Sequence, residues 1–219
     1  MRTKALFAEF VGTFTLIFIG VGAIAADYIT AGKVGLTGIA LAHGLAIAVM
    51  ASATAVISGG HLNPAVTIGL LCAKKIDTIN AAGYIVAQCL GAILAAYLIK
   101  VIIPAPALTA VGMGTPALGT GISSMSGLLT EAILTFFLMF VVYGTAVDAR
   151  APKMAGLFIG LTVTLDIFMG GPITGAAMNP ARHLGPALLG GGLQNLWIYW
   201  VGPISGSILA AISYKYILE

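Results

Sequence analysis

Long apolar runs broken by short polar stretches set the organisation of this chain. Six runs, at about 5–26, 36–57, 80–102, 126–147, 154–171 and 196–217, are long enough to be membrane-crossing helices. Such a helix needs ~20 apolar residues to cross ~30 Å of hydrocarbon. Two shorter apolar pieces, about 64–73 and 180–190, each follow an Asn-Pro pair. At ~1.5 Å of rise per residue each reaches only ~16 Å, about half of that core. The pattern predicts an all-α integral membrane protein, with six transmembrane helices and two re-entrant half-helices.

The polar punctuation repeats. SGGHLNPA and TGAAMNPA align with Ser58 on Thr174 and Asn63 on Asn179, an offset of 116. YIVAQCLGAILAA (84–96) aligns with YWVGPISGSILAA (199–211), identical at seven of thirteen positions. The first spans of the two halves share Glu9-x-x-x-Thr13-Phe14 and Glu131-x-x-x-Thr135-Phe136. One domain over 1–219 is therefore expected, with repeats at about 1–103 and 126–219 joined by a loop at about 104–125. Three spans per half force the second copy to enter from the opposite face. Inverted repeats of this kind put a central site near the midplane.

Charge placement orients the chain. With both termini in the cytoplasm, Arg2, Lys4, Lys74, Lys75, Arg150, Lys153 and Lys215 fall on the cytoplasmic side. Lys33 and Lys100 fall outside, the 104–125 loop becomes extracellular, and Arg182 belongs to the second half-helix. This satisfies the positive-inside bias. Arg2, Lys4 and the Ala23-Ile24-Ala25 stretch resemble a signal peptide, but Glu9 interrupts the run and its length suits a retained first helix.

Composition agrees with the spans: 59% of the 219 residues are hydrophobic and only 8% charged, so lipid must be the main solvent. A net charge of +3 without a basic run offers nothing to nucleic acid. Cys72 and Cys89 form neither a disulfide framework nor a CxxC pair and are expected to be buried small apolar residues.

Asn-Pro-Ala (Asn63, Pro64, Ala65 and Asn179, Pro180, Ala181) has a definite physical meaning. Asn caps a helix by accepting a free first-turn amide, and Pro suits the first helical position, where a missing N–H costs nothing. Two half-helices starting at the midplane bring two positive dipole ends together. With each Asn oxygen used in capping, its amide NH2 is expected to be free to donate to a neutral solute. A water receiving both donations must point its own hydrogens away, which interrupts a proton relay. Non-helical backbone at this depth is tolerated where it lines a watery cavity. Gly59, Gly60 and His61 and Gly175, Ala177 and Met178 are thus candidate carbonyl ladders.

The paired Asn-Pro-Ala boxes, the six spans and the Glu-x-x-x-Thr-Phe openings resemble the aquaporin (major intrinsic protein) family over about Lys4 to Tyr216. That resemblance implies a homotetramer with one pore per subunit, conducting water and small neutral solutes across the bilayer. It places an outer selectivity filter at His43, Ile167, Ala176 and Arg182. The set His, Ile, Ala, Arg is similar to plant tonoplast-type aquaporins and their relatives that pass ammonia and hydrogen peroxide. Glycerol channels are less similar: here His183 and Ala187 stand where they carry Asp and Lys, and Tyr199-Trp200 is the water-channel pairing. A glycerol facilitator is the alternative. A secondary transporter would need a coupling group where only Asn side chains and helix dipoles stand.

The remaining polar residues have plainer readings. His43 is expected to line the pore as a donor, and His61 to serve through its carbonyl. No His or Cys spacing suits a metal, no cofactor motif occurs, and no nucleophile, base and orienting group converge for an enzyme. Glu9 and Glu131 are expected to accept backbone hydrogen bonds from the loops before each box, and Asp166 to support the second of these loops. Gly202 and Gly206, at GxxxG spacing, suit close helix packing. Compact loops without an Asn-x-Ser/Thr acceptor point to a plasma (cell inner) membrane.

Overall fold

The computed structural model describes residues 3–151 and 153–218, so Arg2 lies outside the described residues. Six helices have the length and composition of membrane spans. They are α1 (Thr3–Ile29), α2 (Gly35–Ser58), α4 (Thr78–Ile102), α6 (Ser124–Val142, continuing as a wider turn to Val147), α7 (Ala155–Thr174) and α9 (Ile198–Ser213, continuing likewise to Leu218). Between them run two half-length helices, α3 (Pro64–Cys72) and α8 (Pro180–Gly190). The segment over 104–125 holds more structure than a loop: a short helix α5 (Ala105–Ala110) and a 3₁₀ turn at Gly112–Gly114.

Local chemistry sets the boundaries. Asp77 opens α4 by accepting from the Asn80 amide, and Ser123 opens α6 by accepting from the Ser126 amide. Both helices that lead into an Asn-Pro-Ala box stop at a glycine in the left-handed region, Gly59 (φ 89°) after α2 and Gly175 (φ 80°) after α7. That conformation carries no penalty only for a residue without Cβ.

The repeat is visible in the packing. α1 lies on α4 as α6 lies on α9, and α3 lies on α9 as α8 lies on α4. The second spans of the two halves, α2 and α7, pack against each other. Each crossing uses repeat-equivalent small residues. A Cβ on Gly91 would overlap the Phe10 carbonyl, and one on its equivalent Gly206 would overlap the Ala132 carbonyl. Gly44 and Gly160 face each other's carbonyl oxygens across α2 and α7. Gly69 meets Ser207 as Gly185 meets Ala92. Between helices in lipid there is little hydrophobic drive, so close backbone approach and van der Waals contact must hold the bundle. Gly202 also fits here, with the Leu128 carbonyl 3.0 Å from where its Cβ would stand.

The half-helices are secured at their outer ends by a pair of lysines. Lys215 Nζ donates to the Ala73 carbonyl at 2.7 Å, at the end of α3. Its repeat equivalent Lys100 donates to the Leu189 carbonyl at 3.3 Å, in the last turn of α8. Each cation thus sits at the negative end of a half-helix from the other repeat. Cys72, expected to be buried, is exposed, because the last turn of α3 reaches the membrane face; Cys89 is half-buried.

The crossing at Gly206 gives a direct check. Gly206→Ala should destabilise the protein by about 1–3 kcal/mol, because the added methyl meets rigid backbone. The thermal midpoint in detergent should fall accordingly, and an unchanged midpoint would remove the close-approach account.

Candidate functional site

The site grows from the two Asn-Pro-Ala starts. Asn63 Oδ1 accepts from the Ala65 amide at 2.8 Å, and Asn179 Oδ1 accepts from the amides of Ala181 (3.0 Å) and Arg182 (3.3 Å). The side-chain amides are not wholly free, as the sequence reading had them. Asn63 Nδ2 donates to the Met178 carbonyl at 2.8 Å, and Asn179 Nδ2 donates to the Leu62 carbonyl at 2.9 Å. Each asparagine therefore caps its own helix and ties down the opposite loop, and one N–H of each remains for the lumen.

The two loops are held from behind by buried carboxylates. Glu9 accepts from Ser58 Oγ, the His61 and Leu62 amides and Gln88 Nε2, at 2.6–2.9 Å. Glu131 accepts from Thr174 Oγ1 and the Ala177 and Met178 amides, at 2.7–2.9 Å. Ser58 and Thr174 each take one more loop amide, from Gly60 and Ala176. Tyr84 and Tyr199 donate to the Ser58 and Thr174 carbonyls. The loops need this support because Leu62 (φ 52°), Ala176 (φ 44°) and Met178 (φ 50°) are left-handed without being glycine. Such a conformation persists only where the surroundings over-determine it.

Between the half-helices runs a narrow passage with about 30 Å³ open to water, lined by Asn63 and Asn179 and by apolar residues such as Leu16, Val66 and Leu138. A water needs ~10–15 Å³ of such space, so the passage admits few waters at once. Gly60, His61, Ala177 and Met178 line it, and so do Leu62 and Ala176. Gly59 and Gly175 instead line the vestibules at the two ends. The vestibule on the face carrying the termini is wide, with about 1020 Å³ open to water; the other has about 180 Å³.

His43, Ile167 and Arg182 line both the passage and the small vestibule, so they stand at the junction, with Ala176 just inside. Arg182 Nη1 donates to the Gly114 carbonyl at 2.8 Å, which makes the 3₁₀ turn part of the site. His43 Nδ1 lies 2.8 Å from the Ile39 carbonyl. A carbonyl can only accept, so Nδ1 carries the hydrogen and Nε2 of the neutral ring is an acceptor, not the donor expected.

The comparisons with known proteins bear on this geometry. The family model described as "Major intrinsic protein" matches residues 1–214. The chain belongs to the major intrinsic protein family. It is 45% identical to Aquaporin TIP4-4 of Zea mays, over 96% of this chain and 85% of that one. It is 40% identical to Aquaporin NIP1-1 of Oryza sativa subsp. japonica, over 98% of this chain and 74% of that one. Its fold matches the X-ray structure of the aquaglyceroporin from Plasmodium falciparum with a TM-score of 0.88, at 27% identity, covering 98% and 96% of the two chains. This major intrinsic protein is a multi-pass membrane channel for water.

Three polar residues take places in the channel that the sequence left open or misjudged. His61 sits where passage meets wide vestibule, its Nδ1 3.1 Å from Thr67 Oγ1 and its ring edge-on to Tyr84. His183 is fully buried behind the passage, stacked on Tyr199 with ring centroids 4.1 Å apart, and does not face the mouth. Asp166 does not support the loop before the second box: Glu131 takes those amides, and Asp166 Oδ2 is buried without a partner among the described residues. Gln88 and Gly114 were missed because their partners lie 79 and 68 residues away.

Glu9→Gln and Glu131→Gln test the loop supports. The new amide group would turn a donor toward a backbone N–H, leaving buried groups unpaired at a cost of about 1–3 kcal/mol. Both variants should melt lower in detergent and lose water flux per folded channel; a Gln variant matching the parent in both would overturn the support role.

Proposed function

We propose that this channel passes water as its main solute, with ammonia or hydrogen peroxide beside it, and holds back protons and other cations. The observation that carries this reading is the junction of His43, Ile167 and Arg182 between passage and small vestibule, with Ala176 next to it. Arg182 supplies a fixed positive charge there, and the two half-helix N-termini supply positive dipole ends at the midplane. One N–H from each of Asn63 and Asn179 then donates to the same water, which breaks the chain of hydrogen bonds a proton would follow. Ile167 adds no polar group to the wall, so a solute with fewer hydrogen bonds than glycerol meets the filter on easier terms.

Orientation and assembly belong to the same proposal. The cations Lys4, Lys74, Lys75, Arg150, Lys153 and Lys215 support a cytoplasmic position for the face with the termini and the wide vestibule. The membrane is proposed to be the plasma (cell inner) membrane, and the working unit a homotetramer with a pore in each subunit. A glycerol facilitator is the second reading, favoured by the match to an aquaglyceroporin fold. The small volume open to water in the passage weighs against it.

Proteoliposomes under osmotic shock separate the readings. Water efflux should be fast and glycerol entry close to that of empty vesicles, with ammonia entry detectable by an internal pH dye. Glycerol flux rivalling water flux would replace the water-channel reading with the facilitator. His43→Phe should reduce ammonia passage more than water passage, and Arg182→Val should raise proton leak. Equal effects of His43→Phe on both solutes would discredit the filter as the point of selection.

A further inference from the structure

α1 turns one line of residues inward at four-residue spacing: Gly12, Leu16, Gly20 and Ile24. Leu16 lines the passage and Ile24 the small vestibule. The two glycines do not line it themselves; they leave room for side chains from elsewhere. A Cβ on Gly12 would overlap the methyl end of Leu62, and a Cβ on Gly20 would overlap Nε2 of His43, with Cδ2 and Cε1 also too close. A Cβ on Gly22, on another face of the same helix, would meet nothing within 4 Å among the described residues. The repeat makes the contrast sharper. Glu9 aligns with Glu131 in the first spans, so Gly20 aligns with Val142, and Val142 lines the passage with its own side chain.

We propose that Gly20 is the seat of the His43 ring and so sets the aperture and solute preference of the filter without touching solute. The imidazole is anchored at one end by the Ile39 carbonyl. On the far side of α2, the close approach of α7 at Gly44, where Thr164 and the Gly160 backbone fill the space, leaves no room for it. With α1 bare of Cβ at position 20, the ring tip rests against that helix. A methyl group there displaces the tip, and the open space left to it is the passage, toward Ile167 and Arg182. The obstructing atoms are the far end of a side chain, so the ring gives way before the helices do. Gly20 is thus a positioning residue that acts through His43. The proposal rests on the reading of His43 as part of the filter.

A double-mutant cycle in proteoliposomes tests it, with the parent, Gly20→Ala, His43→Ala and the double variant compared for water efflux and ammonia entry per folded channel by gel filtration. Gly20→Ala should cut water flux by about three- to tenfold and ammonia flux more, whereas adding it to His43→Ala should change either by less than about 1.5-fold. Gly22→Ala should match the parent. A Gly20→Ala chain that folds only when His43 is also shortened supports the seat too, since the overlap is then the whole defect. Equal losses in both backgrounds, or no loss from Gly20→Ala, would overturn the seat. Parental fluxes from His43→Ala alone would instead overturn the filter reading beneath it.

Discussion

Two asparagines hold the middle of this channel together, each with its oxygen on its own half-helix and one amide hydrogen on the opposite loop. Without that reciprocal tie, two short helices entering from opposite faces would have no reason to meet end to end. With it, they make one crossing, and the non-helical backbone before each box lines the passage, where such backbone is tolerated at membrane depth. The tie also explains why Leu62 and Met178 adopt left-handed backbone: their carbonyls must reach the other half's asparagine. The cost of that conformation is met by the amides of the same residues, each bonded to a buried glutamate.

The rest of the scaffold extends this pairing outward. Carboxylate, hydroxyl and tyrosine recur behind each loop in the order Glu9, Ser58, Tyr84 and Glu131, Thr174, Tyr199. At the membrane faces Lys215 and Lys100 close the outer ends of the half-helices. Where the halves differ, the same space is filled another way. In the first half a loop histidine, His61, packs on Tyr84 and bonds Thr67 of the half-helix. In the second, the position of Thr67 is taken by His183, whose ring stacks on Tyr199, and the loop position of His61 is only Ala177. A ring beside the tyrosine is retained, and the backbone position that supplies it is exchanged.

Much of this was legible in the residues. Apolar runs and the doubled Asn-Pro-Ala named the spans, the half-helices and the inverted repeat, because those features depend on length and on local capping. Glu9 and Glu131 were legible as loop supports, since a buried acid at equivalent repeat positions needs donors and the loops have them. What stayed hidden depends on distance in space. Nothing local to Asn63 says that its amide is half committed to Met178, 115 residues away. The tautomer of His43 follows from a carbonyl one helical turn back, whose availability depends on the packing of α2. Asp166 drew attention as a membrane acid near the second box, yet helix geometry aims it elsewhere.

The proposed filter puts solute choice where the symmetry breaks. The boxes, the ties and the carboxylates are duplicated, so they cannot by themselves make one end of the passage different from the other. Arg182 has Val66 as its repeat equivalent, and His43 has Ile159; all four line the passage. One end therefore carries a fixed cation and an imidazole where the other carries two branched aliphatic side chains. At the wide end the charge is missing from these positions, and the imidazole there is the loop's His61. The same fold accommodates an aquaglyceroporin, so the scaffold leaves the solute open, and the proposed filter assigns the choice to these few unequal pairs.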